Sequence, residues 1–313
     1  MKRIVFIVSV IFLLLNLPAS EAGERSLTDE AGRRVKVPLS AKRIISLAPS
    51  TTEILFAIGL RQEIAGVTNF CDYPEDVSTR PRIGGFVNPD VEKIVSLKPD
   101  LIIAIPDGNR WETIQRLSDL GFPVYTVDPK GFDGVIRTIR NMGEIIGKEE
   151  ESRALIRRMV ERKEKIVTLT RPLPRPAVFF QVGDAPVITV GKGTLANDLI
   201  RLAGGRSISE NEPLSYPPYG TETILSKAPE IIIFSSMDNR KNHSDLIRKW
   251  QTWKSIPAVK SNSIYAIDSN LVDRPAPRIV EGLEALARII HPEVFIEKVH
   301  TKGRNQKELS PIP

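Results

Sequence analysis

The chain has 313 residues, with 44 Lys and Arg against 38 Asp and Glu, a formal charge of +6, three histidines and one cysteine. The basic residues are spread among acids, which argues against the concentrated positive face that nucleic-acid binding needs. A single cysteine, Cys71, excludes an internal disulfide and a Cys-based zinc site, and with no base near it in sequence Cys71 reads as a small packed residue rather than a nucleophile.

In chain order, Lys2 and Arg3 precede an apolar run over 4–15, followed by Pro18 and the small residues Ala19, Ser20 and Ala22. That order is the signature of a secretory signal peptide over residues 1–22. Its loss, with two basic residues and one acidic residue, lowers the charge to +5. The run is short beside the roughly 20 residues of a membrane span. No cysteine follows it, so the expectation is a mature chain that begins near Gly23, diffuses freely in a bacterial periplasm and is not a lipoprotein.

Residues 43–47 read as a first strand. Ser50, Thr51 and Thr52 then read as caps, with Glu53 as a first-turn acid, of a helix that ends at Gly59. A second strand at 64–67 leads into a long loop over 68–87 rich in Pro, Gly and aromatic residues, and long loops inside compact domains are commonly functional. Pro89 opens a helix carrying Glu92; strands at 101–105 and 124–127 bracket a helix at 111–120. Strands alternating with helices predict an α/β unit with a parallel sheet covered on both faces.

A helix at 133–146 is ended by Gly147. The next, over 149–169, has three acids at its start and basic residues in its later turns, a distribution matched to the helix dipole. At about 1.5 Å per residue it is roughly 30 Å long, enough to bridge two lobes, although an ordinary surface helix is also compatible with it. The proline-rich stretch 171–176 stops it. A strand at 177–181, a helix at 194–202, a Pro- and Tyr-bearing loop at 206–220, a loop at 270–277 and a helix at 278–290 follow. The predicted layout is an N-terminal lobe (23–131), inter-lobe helices (132–170), a C-terminal lobe (171–296) and a basic tail (297–313).

Residues 91–104, VEKIVSLKPDLIIA, recur without a gap as residues 221–234, TETILSKAPEIIIF. Glu92 aligns with Glu222, Pro99 with Pro229, and the apolar runs coincide. The chain therefore reads as two copies of one α/β unit, and clefts between similar lobes are where small ligands usually bind. An enzyme is the first rival, but G-x-S-x-G, P-loop and G-x-G-x-x-G patterns are missing, and His243, His291 and His300 all lie in the last quarter. Lys192, between Gly191 and Gly193, reads as a turn. A zinc or manganese receptor would want several His and carboxylates in the cleft loops, so no metal site is expected.

The segments RIISLAPSTTEILFAIG, GVTNFCDYP, GGFVNPDVEKIVSLKPDLIIA, SYPPYGTETILSKAPEIIIF and DRPAPRIVEGLEALARIIHPE together resemble the substrate-binding proteins of cobalamin and iron-siderophore ABC importers. Within that family GVTNFCDYP and DRPAPR most resemble the cobalamin-binding branch. The resemblance implies two similar α/β lobes with parallel-rich sheets joined by one long helix, no enzymatic activity and no cofactor. It also implies a corrinoid ligand, with a ferric siderophore or haem as the alternative, and a monomer that works with a permease and its ATPase. Carried onto this chain, the ligand-facing positions are Ser50, Phe70, Phe86, Tyr216, Asn270 and Arg274. The permease-docking carboxylates, which meet arginines of the permease, are Glu92 and Glu222. A cobalamin binder of that branch carries Tyr, Trp and Trp where Phe70, Phe86 and Tyr216 stand and an acid where Asn270 stands, a departure that weakens the corrinoid implication.

Overall fold

In the computed structural model, which describes residues 23–236 and 243–295, the strand of each repeated segment pairs in parallel with the first strand, in chain order, of its unit's parallel sheet. The strands are β1 (Glu24–Thr28), β2 (Arg34–Pro38), β3 (Ile44–Ser46), β4 (Ile64–Val67), β5 (Leu101–Ala104) and β6 (Val124–Thr126), then β7 (Ala177–Asp184), β8 (Val187–Thr189), β9 (Arg206–Ser207), β10 (Ile231–Ser236) and β11 (Ile264–Asp268). Among the described residues, 23–129 and 133–157 form one compact unit, and 130–132 and 158–295 the other. The helix Glu149–Thr170 contributes to both, with residues through Arg157 in the first and those from Arg158 in the second.

The first unit holds a wholly parallel sheet in the order β4-β3-β5-β6. In the second, β10 and β11 run parallel to β7 in the order β11-β10-β7, and the other edge of β7 is shared by parallel β9 at its start and antiparallel β8 at its end. With β9 in the place of β4, the two sheets have the same strand order. Register repeats too: Ile44 faces Leu101 and Ile102 faces Val124, while Val178 faces Ile231 and Ile232 faces Ile264.

Each repeated segment is built alike. The helices Val91–Ser96 and Thr221–Lys227 bury Ile94 and Ile224 completely. Ser96 and Ser226 donate back to the carbonyls of Lys93 and Thr223. The chain then leaves each helix through a left-handed residue, Lys98 at φ 47° and Ala228 at φ 44°. Gly or Asn is the usual occupant of such a position, so two side-chain-bearing residues held there show that the same turn is imposed on both copies. The buried Pro99 and Pro229 follow, and the next residue closes the unit. The Asp100 carboxylate accepts the Lys42 and Arg43 amides at 2.7 and 2.9 Å, and the Glu230 carboxylate accepts the Ala177 amide at 3.2 Å.

The cores match this plan. Ile45, Ile94, Ile102 and Ile114 pack together in the first unit, and Phe179, Ile224, Ile232 and Phe234 in the second, where Phe179 meets Trp250 edge-on at 5.4 Å. Trp250 donates its indole N–H to Gln181 at 2.8 Å, giving the buried ring the polar partner it requires.

Several local expectations change. Ser50, Thr51 and Thr52 do not cap the first helix. It runs Pro49–Ala57 from the extended Ala48, and its first turn carries no acid. Thr51 and Thr52 instead donate to the Ala48 carbonyl, each at 3.0 Å, because Pro49 occupies the first helical position and the hydroxyls face inward. Pro89 precedes the helix of Glu92 without opening it, and the Asp90 side chain caps it by accepting the Lys93 amide at 3.0 Å. The antiparallel hairpin β1–β2 is an element without counterpart in the sequence reading. Its turn is tied by Asp29, which accepts the Ala31 and Arg33 amides and pairs with the Arg33 guanidinium.

The two closing carboxylates make a graded test. Asp100→Ala leaves the two amides just before β3 without their carboxylate acceptor, and Glu230→Ala leaves one at the start of β7 that was held by a longer bond. The first should lower the unfolding free energy by about 1–2 kcal/mol and the second by less than about 1 kcal/mol, read from urea midpoints; equal losses would remove the assignment.

Candidate functional site

In parallel α/β sheets ligand-facing loops leave the carboxyl ends of the strands, where helix starts and irregular backbone supply groups not used by the sheet. In the first unit these loops carry Ser50, Phe70 and Phe86. Ser50 lies in the first turn of the helix after β3 and is only 4% exposed, so it sits at the floor of this region. Phe70 lies on the turn after β4 and is 61% exposed. Its backbone is held from beneath. The Arg82 guanidinium donates to the carbonyls of Thr68 and Cys71 at 2.9 and 2.7 Å, and the Asn69 amide donates to Gly84 at 2.8 Å. Buried Cys71 places its sulfur 3.2 Å from both the Thr52 and Thr68 hydroxyls, a packed thiol at the base of the Phe70 turn.

Phe86 is half-buried on the loop between β4 and the helix of Glu92. Its ring edge lies against Gly108, where a Cβ would stand 2.0 Å from Phe86 Cζ. Its carbonyl accepts a hydrogen bond from the buried Asn109 side chain at 2.8 Å.

In the second unit Tyr216 is 54% exposed on the loop that precedes the repeated helix. That loop is stitched to the chain at and after β8. Thr189 and Gly191 donate to the carbonyls of Pro217 and Ser215, Lys192 to Glu212, and Tyr219 to Val187. A Cβ at Gly191 would fall 1.9 Å from the Leu214 oxygen, so the approach requires glycine. The Gly191-Lys192-Gly193 segment is thus the turn expected of it, followed by Thr194 capping the helix Leu195–Leu202. Tyr219 is anchored: its hydroxyl donates to Glu212 at 2.8 Å, and burial together with that carboxylate raises its pKa well above the usual tyrosine range.

Asn270 and Arg274 follow β11. Asn270 lies in the short helix Ser269–Val272 rather than in a loop, because Asp268 caps it by accepting the Asn270 amide at 2.9 Å. Arg274 is half-buried. Between them stands Asp273, whose carboxylate accepts the hydroxyl proton of Ser235, near the end of β10, at 2.6 Å. Burial pushes the Asp273 carboxyl up to about 6, against the opposing pull of the Ser235 hydrogen bond. Sequence reasoning missed Asp273, Asn109 and Arg82. Asp273 stands inside the DRPAPR motif that the reading used for its neighbour Arg274.

Glu92 and Glu222 are both exposed in the first turn of their helices, at equivalent points of the repeat. His291 is buried, with its ring nitrogens beside Glu293 and the Gly204 carbonyl. His243 and His300 are not placed: the side chain of the first and the whole of the second lie outside the described residues. Among the described residues no group of three or more His, Cys, Asp and Glu is arranged to hold a metal ion, and no helix is long and apolar enough to cross a membrane.

Residues 44–271 match the periplasmic binding protein family, and the chain belongs to it. It is a family of substrate-binding proteins of ABC transporters, not of enzymes. The chain is 31% identical over 280 residues to an uncharacterized ABC transporter substrate-binding lipoprotein, YvrC, of Bacillus subtilis, covering 87% of each. It is 30% identical over 248 residues to the vitamin B12-binding protein of Vibrio cholerae, covering 79% of this chain and 88% of the relative. The crystal structure of that organism's periplasmic vitamin B12-binding protein superposes with a TM-score of 0.72 at 30% identity, over 81% of this chain and 98% of that one. A possible iron-binding protein from Staphylococcus epidermidis gives the same TM-score at 29% identity, over 80% and 99%. The Bacillus relative corrects one expectation. A receptor 31% identical to this chain is named a lipoprotein, so the inference that this protein is unanchored does not stand. It rested on the absence of a cysteine beside the apolar run, in residues outside those the structure describes.

Asp273 gives a pH test. Its folded-state pKa lies above the unfolded value near 4, so between about pH 4 and 6 the folded carboxyl keeps a proton the unfolded chain has lost, and stability falls as pH rises through that window. Asp273→Asn should be indistinguishable from the parent near pH 4 and more stable by on the order of 2 kcal/mol at pH 7. Denaturant titrations at several pH values check this, and a pH-independent difference would overturn it.

Proposed function

We propose that this protein captures a corrinoid, a vitamin B12-like ligand, on the loops at the strand carboxyl ends of its two units and delivers it to an ABC permease. The observation that carries the reading is the set of three aromatic side chains, Phe70, Phe86 and Tyr216, half-buried or exposed on loops whose backbones are pinned by hydrogen bonds. Exposed rings on mobile loops would collapse onto apolar neighbours; rings on pinned loops offer flat, pre-ordered walls to a large planar ligand at low entropic cost. Ser50, Asn270 and Arg274 supply polar groups from the segments that follow β3 and β11. The similarity to vitamin B12-binding proteins at 30% identity supports the corrinoid over other flat ligands. No bound cofactor enters this mechanism: the ligand is cargo.

A ferric siderophore or haem is the second reading. It is favoured by Arg274, a cation suited to an anionic ligand, and by the similarity to the possible iron-binding protein. Substrate-binding proteins of ABC importers work with a permease and its ATPase. For this chain we assign the docking role to Glu92 and Glu222, one exposed carboxylate per unit, acting in a monomer.

Calorimetric and absorbance titrations with cyanocobalamin, cobinamide, haem and a ferric catecholate decide between the ligands. Corrinoid dissociation constants should fall well below a millimolar, a binding free energy beyond about −4 kcal/mol, and Phe86→Ala and Tyr216→Ala should each weaken capture. Tight siderophore or haem binding without corrinoid binding would overturn the reading. Reversing both Glu92 and Glu222 to Lys should leave affinity nearly intact and abolish uptake, because like charges facing the permease arginines cost several kcal/mol. Normal uptake by the double variant would remove the docking assignment.

A further inference from the structure

Asn109 is a buried carboxamide, 3% exposed, on the turn after β5. Its Oδ1 accepts the Ile105 amide at 2.8 Å, and its Nδ2 donates to the Leu47 carbonyl at 2.9 Å and the Phe86 carbonyl at 2.8 Å. The orientation of the amide is settled by chemistry, since one end faces an N–H and the other faces two carbonyls. All three partners belong to different segments: the end of β3, the exit of β5 and the loop of Phe86. Gly108, the preceding residue, stands at φ 137° and leaves the space into which the Phe86 ring packs.

We infer that Asn109 and Gly108 are positioning residues that fix the Phe86 ring as a binding wall, Asn109 by holding the loop backbone and Gly108 by admitting the ring edge. The inference rests on the reading of Phe86 as a ligand contact. The chemistry is specific to a carboxamide. A leucine would leave an amide and two carbonyls without their partner, and an aspartate would set a carboxylate oxygen against two carbonyl oxygens. The residue accordingly does for the Phe86 loop what Arg82 does for the Phe70 turn, with a neutral group in place of a charged one.

The test uses the purified protein with Asn109→Asp, which keeps the shape and the Ile105 bond, and Gly108→Ala, which drives a methyl into the ring. Both are made also in a Phe86→Ala background. Hydrogen exchange of the ligand-free protein over residues 84–90 should speed up in N109D. Cyanocobalamin affinity should drop at least fivefold in N109D and in G108A, and both losses should largely vanish when Phe86 is already Ala, a coupling that a general loss of stability would not produce. Unchanged exchange in N109D would overturn the clamp. Faster exchange with full affinity, in a protein where F86A alone weakens binding, would overturn the positioning role. If F86A itself binds normally while N109D exchanges faster, the ring-wall reading of Phe86 fails and the positioning role fails with it, whereas the clamp on the loop stands. If N109D does not fold, G108A and its coupling to Phe86 carry the test.

Discussion

The pairing of an opening strand with the strand of the repeated segment, Ile44 against Leu101 and Val178 against Ile231, is the constraint on which the rest of each unit depends. Parallel pairing requires a crossover connection. In each unit that connection ends in a brief helix that buries one isoleucine completely and turns into the strand through a left-handed residue and a proline. A carboxylate just before each repeated strand then ties back to the start of the opening strand. Register set at the amino ends in this way determines which residues emerge together at the carboxyl ends, so loop chemistry is inherited from strand pairing.

At those carboxyl ends the protein uses buried and half-buried polar groups to hold its loops. Arg82 grips the Phe70 turn, Asn109 the Phe86 loop, and Ser235 reaches Asp273 beside Arg274. Each is an arrangement in which a polar atom removed from water is matched by a partner. Of these, only Asp273 carries a marked electrostatic cost, since burial raises its carboxyl against the pull of the Ser235 hydroxyl. Such a cost beside Asn270 and Arg274 agrees with the ligand-facing role proposed for them, since perturbed titratable groups cluster at functional sites.

Membership of the periplasmic binding protein family makes the loops, not catalytic groups, the place where function resides. Within that class ligand identity depends on few side chains. On the corrinoid reading proposed above, Phe70, Phe86 and Tyr216 are the flat walls and Asn270 is a neutral polar contact, which is why the discriminating experiment compares ligands of similar shape and different charge.

Taken alone, the sequence determined the duplication, the α/β alternation and the aromatic loops, because each is written in local pattern: a fourteen-residue recurrence, apolar runs after proline, rings among Pro and Gly. It also placed Glu92 and Glu222 at equivalent points. The antiparallel hairpin β1–β2 and the antiparallel β8 escaped it, since their strands are short and their pairing is decided by neighbours in space. Ser50 and its neighbours looked like caps because Ser and Thr before a helical run usually are, but Pro49 starts the helix earlier and turns Thr51 and Thr52 inward. Two of the three partners of Asn109 are remote in sequence, at residues 47 and 86, and only Ile105 is near it. Only the folding of β3 beside β5 brings those backbone groups within reach of one carboxamide, and hydrogen bonding of this kind is a property of distance in space, which a one-dimensional pattern does not record.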